Sequence, residues 1–149
     1  MNYEIIRLDQ KKIIGQKIRT INEHGLQAIG NAWRQFYETG VTFQIKNKLN
    51  DKIIGLYTDY EKDYTAEYTF LCGCEVEKEE SSEFEVKNIL AGKYAKFSVK
   101  GDVMTCVGPV WKYIWQSDLK RTYISDFEEY HNDRDKNGHQ TIDIFIGIK

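Results

Sequence analysis

Residues 106–130 read CVGPVWKYIWQSDLKRTYISDFEEY and combine a helical pattern of aromatic residues with a strand-like pattern. Its first part places Trp111 and Trp115 one helical turn apart on an apolar stripe, which predicts an amphipathic helix. A basic turn follows, and Asp126–Tyr130 then predicts a short strand. A carboxylate surrounded by large aromatic side chains indicates a pocket for an apolar or cationic small molecule.

The helical part of this stretch has a counterpart earlier in the chain. Residues 28–37, AIGNAWRQFY, align with residues 106–115, CVGPVWKYIW, at a constant offset of 78 positions (111 − 33 = 78). A glycine, a tryptophan, a basic residue and further aromatic residues recur in the same order. The recurrence indicates that the chain is a duplication of one structural unit.

Each unit is predicted to contain a strand, a helix and two further strands. We expect half-repeats over about 1–76 and 93–149, joined by a charged, solvated linker at 77–92. The predicted fold class is therefore α+β, a tandem pseudo-two-fold repeat of a strand–helix–strand–strand unit (an SHS2-like duplication). The sheet should be mostly antiparallel, with a central ligand cleft where the two halves meet.

The local signals give approximate bounds for the elements. Apolar residues at helical intervals, with a capping-box spacing from Thr20 to Glu23 and a stop at Gly40, predict a helix over 22–38. The second helix begins either near 108, which places Pro109 in its first turn, or near 103 with a bend. Two initial runs, 3–8 and 13–18, could form a hairpin. Further strands are predicted at 53–57, 67–76, 93–99, 125–131 and 141–148.

Composition excludes several functional classes. The 149 residues carry a net charge of −2, so direct nucleic-acid binding has no electrostatic support. No apolar run is long enough for a membrane helix, and the amino terminus lacks a signal peptide, so we expect a cytoplasmic protein. Cys72 and Cys74 are interpreted as buried strand residues with free thiols. The sequence predicts no metal site and no cofactor.

The duplication also suggests which residues face a shared cleft. Tyr57 aligns with Glu128, and Leu71 aligns with Phe145, so each pair should face the cleft from opposite sides. Strand alternation places Phe127 and Glu128 on different faces. We expect Phe127 to pack against the helix and Glu128 to point away from it, as an ordinary surface acid or as the acid of the cleft.

The aromatic side chains divide in the same way. Trp33, Phe36, Trp111 and Ile114 lie at core-like helical spacing, whereas Tyr37, Tyr113 and Trp115 lie off these stripes and should reach a cleft. Lys120 and Arg121 are expected to cap the second helix. The candidate ligand-binding residues are Glu128, Tyr57, Tyr37, Leu71, Trp111, Trp115, Tyr130 and Phe145.

In an apolar cavity the pKa of Glu128 should rise, which leaves two chemical uses open. The carboxylate could recognise a cation with help from the surrounding rings. Alternatively, Glu128 could act as a general base on water, with Tyr57 or Tyr130 as a hydrogen-bond donor. No arrangement typical of a serine or cysteine nucleophile, and no phosphate-binding glycine loop, is apparent in the sequence.

Several segments together resemble one known family. Gly55–Tyr57, Glu67–Val76, Gly92–Ala95, the W-x-x-x-W helix 111–115, the FE-x-Y segment 127–130 and the terminal 144–148 occur in the order found in GyrI-like small-molecule-binding domains. These are the effector-binding domains of AraC-type and MerR-type transcription regulators. The resemblance covers nearly the whole chain.

The resemblance implies a ligand cavity in which the acid of the FE-x-Y segment, here Glu128, pairs with cationic aromatic ligands. It also implies a stand-alone binding domain with a role in transcription regulation or in drug or toxin sensing. Two alternatives come with the family. One is a hydrolase of cyclopropane-type genotoxins, with Glu128 and Tyr57 in the site. The other is a protein that protects DNA gyrase or acts on a transcription regulator in trans, for which the acidic run 77–85 is the sequence support.

Overall fold

The computed structural model describes residues 1–79 and 83–149 as eight strands, two α-helices and a short 3-10 helix. The strands are β1 (Glu4–Leu8), β2 (Lys11–Thr20), β3 (Ile53–Thr58), β4 (Tyr68–Val76), β5 (Glu85–Ile89), β6 (Gly92–Gly101), β7 (Arg121–Tyr130) and β8 (Gln140–Ile148). The α-helices are α1 (Asn22–Glu38) and α2 (Val107–Gln116), and the 3-10 helix is Val41–Phe43. No helix among the described residues has the length and apolar character needed to cross a membrane.

All eight strands form one antiparallel sheet in the order β1-β6-β8-β7-β3-β4-β2-β5. The first unit contributes β2, α1, β3 and β4, and the second contributes β6, α2, β7 and β8 in the same order. The two units meet where β3 pairs with β7, in the middle of the sheet. The predicted α+β fold, built from a duplicated unit with a mostly antiparallel sheet, is confirmed.

The predicted hairpin between the first two strands is wrong. Strand β1 pairs with β6 of the second unit, whereas β2 lies between β4 and β5. Because both edges of β2 are occupied, β1 has no free edge there and crosses to the other unit. Strand β5 makes the reciprocal crossing to β2. It lies inside the segment 77–92 that was predicted to be a solvated linker, and residues 80–82 of that segment lie outside the described residues.

The sheet is strongly curved. In strand order β5 is four positions from β7, yet Leu90, which directly follows β5, donates its backbone N–H to Ser125 Oγ of β7 at 3.3 Å. Tyr94 Oη lies 2.9 Å from the same Ser125 Oγ and donates to the Leu90 carbonyl at 2.6 Å. The connection between β5 and β6 therefore folds over the centre of the sheet.

Both helices pack on one face of the sheet. Helix α1 covers β2 and β4 through Phe36 and Phe70, and α2 covers β6 and β8 through Val110 and Ile144. The opposite face is closed by the curvature and by residues of β1 and β5. Its buried cluster consists of Ile13, Ile54, Leu56, Leu71, Ile89, Tyr94, Phe127 and Phe145.

The helix ends only partly follow the sequence signals. Helix α1 has the predicted extent, but its N-cap is Ile21 and makes no side-chain capping bond, so the predicted capping box is wrong. Gly40 adopts a left-handed conformation (φ 64°) just beyond the C-cap, as expected for a glycine that ends a helix. Helix α2 begins at Val107, so Pro109 lies in the first turn, where its missing N–H has no intrahelical partner to lose.

Candidate functional site

Glu128 is the centre of the candidate site. It lies in β7 with 2% of its surface exposed, and its carboxylate accepts three hydrogen bonds from aromatic side chains. Trp111 Nε1 donates to Oε2 at 2.7 Å, Tyr57 Oη donates to Oε2 at 3.2 Å, and Tyr130 Oη donates to Oε1 at 2.9 Å. The acid is therefore buried and solvated by neutral donors.

Both units of the duplication supply these donors. Tyr57 lies in β3 and Tyr130 in β7, so both come from the central pair of strands, and Trp111 reaches down from the first half of α2. Residues 126, 128 and 130 share the face of β7 that the helices cover, because alternate residues of a strand point the same way. The structure thus corrects the expected orientation: Glu128 lies on the helix-covered face and Phe127 lies on the opposite one.

Gly55 makes room for the acid. It pairs directly with Glu128 across β3 and β7. A Cβ atom at Gly55 would lie 3.0 Å from Glu128 Oε1, 3.0 Å from Trp33 Cζ2 and 3.3 Å from Phe70 Cε1, so any larger residue would crowd the site. A glycine within a strand often marks such a close approach.

Aromatic rings from both helices enclose the acid. The Trp33 ring of α1 meets the Tyr130 ring edge-on at 5.3 Å between centroids, and the Tyr57 ring packs against Trp111 of α2 at 5.0 Å. Phe70 lies below, 4.9 Å from Tyr57. Such edge-to-face contacts are the preferred geometry of aromatic pairs. Aromatic rings of α1, α2 and the central strands therefore surround the acid on the helix-covered face of the sheet.

Burial controls the protonation of these groups. Burial raises the pKa of Glu128 above its ordinary value, and the hydrogen bonds from Trp111, Tyr130 and Tyr57 partly oppose that rise. Burial, followed by the charge of Glu128, raises the pKa of Tyr57 well above its ordinary value and that of Tyr68 to about 12. The tyrosines consequently remain neutral hydrogen-bond donors near neutral pH.

A second polar cluster lies beside the first on the same face. Arg121 forms an ion pair with Asp126, with Nη2 2.8 Å from Oδ2, and both side chains are buried. Tyr60 Oη donates to the same Oδ2 at 2.6 Å, and the Gly147 N–H donates to Oδ1 at 2.8 Å. The prediction that Arg121 caps α2 is wrong, because its charge is used by the buried Asp126, and no basic residue lies in the last turn of α2.

The structure brings some of the predicted site residues together and separates others. Tyr57, Trp111 and Tyr130 contact Glu128. Leu71 and Phe145 instead belong to the buried cluster on the other face of the sheet, so the expectation that they share the cleft with Glu128 is wrong. Repeat alignment shows which residues are equivalent, but it does not show which face of the sheet the helices cover.

Tyr37 and Trp115 form an outer layer. Tyr37 stacks on Trp33 at 6.1 Å between centroids and is 60% exposed, and Trp115 lies 6.3 Å from Trp111 and is 46% exposed. Neither residue hydrogen-bonds to Glu128. Trp115 lies next to Trp111, which does, and Tyr37 lies next to Trp33, which packs against Tyr130. Tyr37 and Trp115 are thus the exposed rings that α1 and α2 each place next to the inner aromatic residues.

Sequence reasoning missed three contributors to this region. Trp33 was expected in the core, Gly55 was assigned no role, and Arg121 was assigned to a helix end. For Gly55 a signal exists, because a glycine in an otherwise apolar strand predicts close packing at that point. For Arg121 no local pattern reveals its partner Asp126, because an irregularity in β7 between residues 121 and 126 breaks the alternation of the strand.

Other parts of the surface offer weaker candidates. Glu129, His131 and Asp143 could offer three metal ligands within 4.8 Å, but His131 Nε2 already lies 2.7 Å from Asp143 Oδ2 and Lys52 pairs with Glu129 at 3.7 Å. An open groove of about 590 Å³ runs between β2, α1 and residues 83–85. Its lining is mixed and contains none of the predicted ligand-binding residues. Neither feature has a buried charge that lacks a counter-charge.

Comparison with known proteins identifies the family. The sequence model of the family described as integron-associated effector binding protein (Cass2) matches residues 4–148. YobU of Bacillus subtilis (strain 168), provisionally named a transcriptional regulator protein, is 29% identical over 154 aligned positions, covering 97% of this chain and 96% of YobU.

Solved structures show the same fold. The crystal structure of integron cassette protein VCH_CASS2, from the mobile metagenome of Vibrio cholerae, is 28% identical with a TM-score of 0.78, covering 99% of this chain and 95% of that protein. The structure of SAV2435 bound to tetraphenylphosphonium has a TM-score of 0.80 at 20% identity, covering 100% of this chain and 94% of that one. The GyrI-like resemblance is confirmed: the chain belongs to the family of integron-associated effector binding proteins.

Proposed function

We propose that this protein binds a lipophilic cation at Glu128 and acts as the ligand-sensing component of a cytoplasmic transcription-regulation or drug- or toxin-response system. One observation carries the proposal. Glu128 is almost fully buried, yet among the described residues it takes part in no ion pair. A buried carboxylate without a counter-charge is costly, and a bound cation would supply that charge.

The rings explain why the cation should be lipophilic. Trp33, Tyr57, Trp111 and Tyr130 present aromatic faces and edges around the acid, and a cation over such a face gains about 0.5–2 kcal/mol. Tetraphenylphosphonium, the compound in the SAV2435 structure, has this combination of positive charge and apolar rings. At 20% identity that likeness shows the fold alone, so the ligand is supported here by the chemistry of the site.

The proposal is tested by calorimetric titration with tetraphenylphosphonium and with tetraphenylborate, an anion of the same shape. We expect the phosphonium to bind and the borate not to bind. In Glu128→Gln the phosphonium affinity should fall at least about tenfold, or about 1.4 kcal/mol, because the buried counter-charge is removed. Glu129→Gln is the matched control, because Glu129 is the neighbouring acid on the opposite face of β7 and should bind normally.

Two outcomes would remove Glu128 from the site. One is equal binding of the cation and the anion by the unaltered protein, which would mean that shape alone decides. The other is an undiminished affinity of Glu128→Gln for the phosphonium.

A hydrolase is the second candidate function, and one contact favours it. Tyr57 Oη donates to the carboxylate of Glu128, whose pKa is raised by burial, and a raised pKa makes a carboxylate a better general base near neutral pH. Glu128 would activate water and Tyr57 would orient the substrate. This candidate predicts multiple turnovers of a cyclopropane-type alkylating agent, lost in Glu128→Gln. Stoichiometric binding without product would contradict it.

A role in trans on DNA gyrase or on a separate transcription regulator stays a prediction. It depends on the acidic run 77–85, of which residues 80–82 lie outside the described part of the chain. Co-purification of a partner with the intact chain, but not with a variant in which the acids of this run are replaced by glutamine or serine, would support it.

A further inference from the structure

Arg121 holds hydrogen-bond donors that the fold does not use. Its side chain is 4% exposed, and Nη2 is bound to Asp126. Nε and Nη1 are also buried, but neither donates to any residue in the described ranges 1–79 and 83–149. A buried donor without an acceptor costs free energy, so a guanidinium held in this state is suited to an acceptor that comes from outside the chain.

The surrounding groups keep the guanidinium in place. Asp126 cannot turn to satisfy the remaining donors, because it also accepts hydrogen bonds from Tyr60 Oη and from the Gly147 N–H. The guanidinium carbon lies 4.4 Å from the centroid of the Tyr123 ring, which stacks against it. Burial alone would lower the pKa of Arg121, but the charge and hydrogen bond of Asp126, together with Tyr60 and Tyr123, outweigh burial and raise that pKa, so the group stays charged.

The Arg121 cluster adjoins the Glu128 site. Asp126 and Glu128 point to the same face of β7, and their partners across the strand pair are Tyr57 and Gly55. Tyr57 therefore lies next to both acids. Trp111 also connects the two clusters, because its indole N–H is bound to Glu128 while its ring centroid lies 6.0 Å from the Arg121 guanidinium.

The region around Tyr57 and Trp111 thus has a carboxylate without a counter-charge at one end and unused guanidinium donors at the other, with aromatic rings between them. At one end Glu128 has no cationic partner among the described residues. At the other end Arg121 is neutralised by Asp126 but retains unused donors. A ligand that carried only a positive charge would satisfy the first end and leave the second unchanged.

We propose that the natural ligand is an aromatic cation that also carries an acceptor oxygen, a carbonyl or a carboxylate, which accepts a hydrogen bond from the Nε–H of Arg121 while its positive charge lies against Glu128. This inference rests on the proposed function and specifies its ligand class. A guanidinium N–H forms a strong, charge-assisted hydrogen bond to such an oxygen.

The test compares ligands that share one cationic centre. Tetraphenylphosphonium has no acceptor, whereas (4-acetylphenyl)triphenylphosphonium adds a carbonyl and (4-carboxyphenyl)triphenylphosphonium adds a carboxylate. We expect the acceptor-bearing compounds to bind the unaltered protein about tenfold tighter or more, as befits hydrogen bonds to a charged group. The compound with the larger gain in affinity shows whether Arg121 prefers a carbonyl or a carboxylate.

Arg121→Lys keeps the charge beside Asp126 but removes the planar donors, so the acceptor-bearing compounds should bind this variant no more tightly than tetraphenylphosphonium does. Lys120→Gln, a change at the exposed neighbouring base, is the control and should retain the gain. Should Arg121→Lys not fold, the Nε–H resonance of Arg121 in the unaltered protein gives the same information. It should shift with the acceptor-bearing ligands and not with tetraphenylphosphonium.

The results separate this inference from the proposed function. Equal affinities of all three phosphonium compounds, with an unshifted Nε–H resonance, would overturn the acceptor-binding role of Arg121. Loss of tetraphenylphosphonium binding in Glu128→Gln would still support the cation site in that case. If none of the compounds binds the unaltered protein, both proposals fail.

Discussion

At the scale of single residues, the candidate site is defined by a carboxylate that is buried without a charged partner. Three aromatic donors hold Glu128 in one orientation, and none of them neutralises it. The feature from which we propose a cation site therefore costs stability when no cation is bound. A glutamine could accept from Trp111 and donate to the hydroxyl oxygen of Tyr130, so Glu128→Gln should fold and be a stricter test than truncation.

The raised pKa of Glu128 leads to a prediction about pH. Because the folded state holds this proton more tightly than the unfolded chain, the stabilising contribution of Glu128 is complete below its unfolded pKa and is lost as pH rises through its folded pKa. Glu128→Gln does not titrate. Its stability relative to the unaltered protein should therefore increase over that pH range, by about 1.4 kcal/mol per unit of pKa elevation.

Urea unfolding of both proteins from about pH 4 to pH 8 measures this difference, and a carbon-13 titration of the Glu128 carboxyl gives its folded pKa directly. Cation binding should change in the opposite sense and become tighter as Glu128 ionises. A stability difference that stays constant, or that shrinks with rising pH, would contradict the raised pKa.

Single residues also show how far the sequence could define the site. Glu128, Tyr57 and Tyr130 could be chosen because they combine an acid and two tyrosines in aligned strands. The side of the sheet on which Glu128 lies could not be chosen, because alternation separates Phe127 from Glu128 without showing which face the helices cover. Each face of the central strands carries apolar residues, so the pattern alone does not show which face the helices cover. Only the packing of α1 and α2 decides this.

At the scale of elements, helix α1 contains two glycines in very different surroundings. Gly30 is exposed, and a Cβ atom there would meet no atom within 4 Å. A Cβ atom at Gly25 would lie 2.8 Å from the Tyr68 hydroxyl. Gly30→Ala should stabilise the protein by about 0.5–1 kcal/mol, because alanine loses less backbone entropy in a helix.

Gly25→Ala is the matched control for this prediction. It makes the same chemical change in the same helix, but the new methyl group must displace Tyr68, which is buried under α1. We expect this variant to be less stable than the unaltered protein, by an amount in the range of about 1–3 kcal/mol that is typical of overpacked cores. Chemical denaturation of both variants measures the effects. Equal shifts in the same direction would show that helix propensity alone controls this element.

The elements themselves were the most predictable level of the structure. Helix α1 and the long strands β4 and β8 follow from periodicity and apolar runs, which are local properties. The partner of β1 was not predictable in this way. Adjacent strands commonly form hairpins, but β2 already has two neighbours, and that fact depends on β5, more than 60 residues further along the chain.

At the scale of the whole molecule, the two units are joined in three places. Strand β3 pairs with β7 at the centre of the sheet. At the two ends of the sheet, β1, which precedes β2 in the chain, pairs with β6 of the second unit, and β5, which precedes β6, pairs with β2 of the first unit. The buried cluster on the face away from the helices combines residues of both units, among them Leu71 and Phe145. The Glu128 site also takes donors from both. Neither unit can complete its core or the site alone.

This interlocking predicts that the chain unfolds as one cooperative unit despite its duplicated architecture. In native-state hydrogen exchange, the amides at the centres of β4 and β8 should share one opening free energy, equal to that of global unfolding, because separating the units would expose the common cluster.

A variant that lacks residues 1–9 is the informative comparison. It removes β1 from the edge of β6 in the second unit, and it should nevertheless lower the protection of β4 in the first unit by the same amount as that of β8. If β8 lost protection while β4 kept it, the units would be separately stable, and ligand binding at their junction could be transmitted by movement of one unit against the other. Equal losses would instead mean that a ligand at Glu128 stabilises the entire molecule at once.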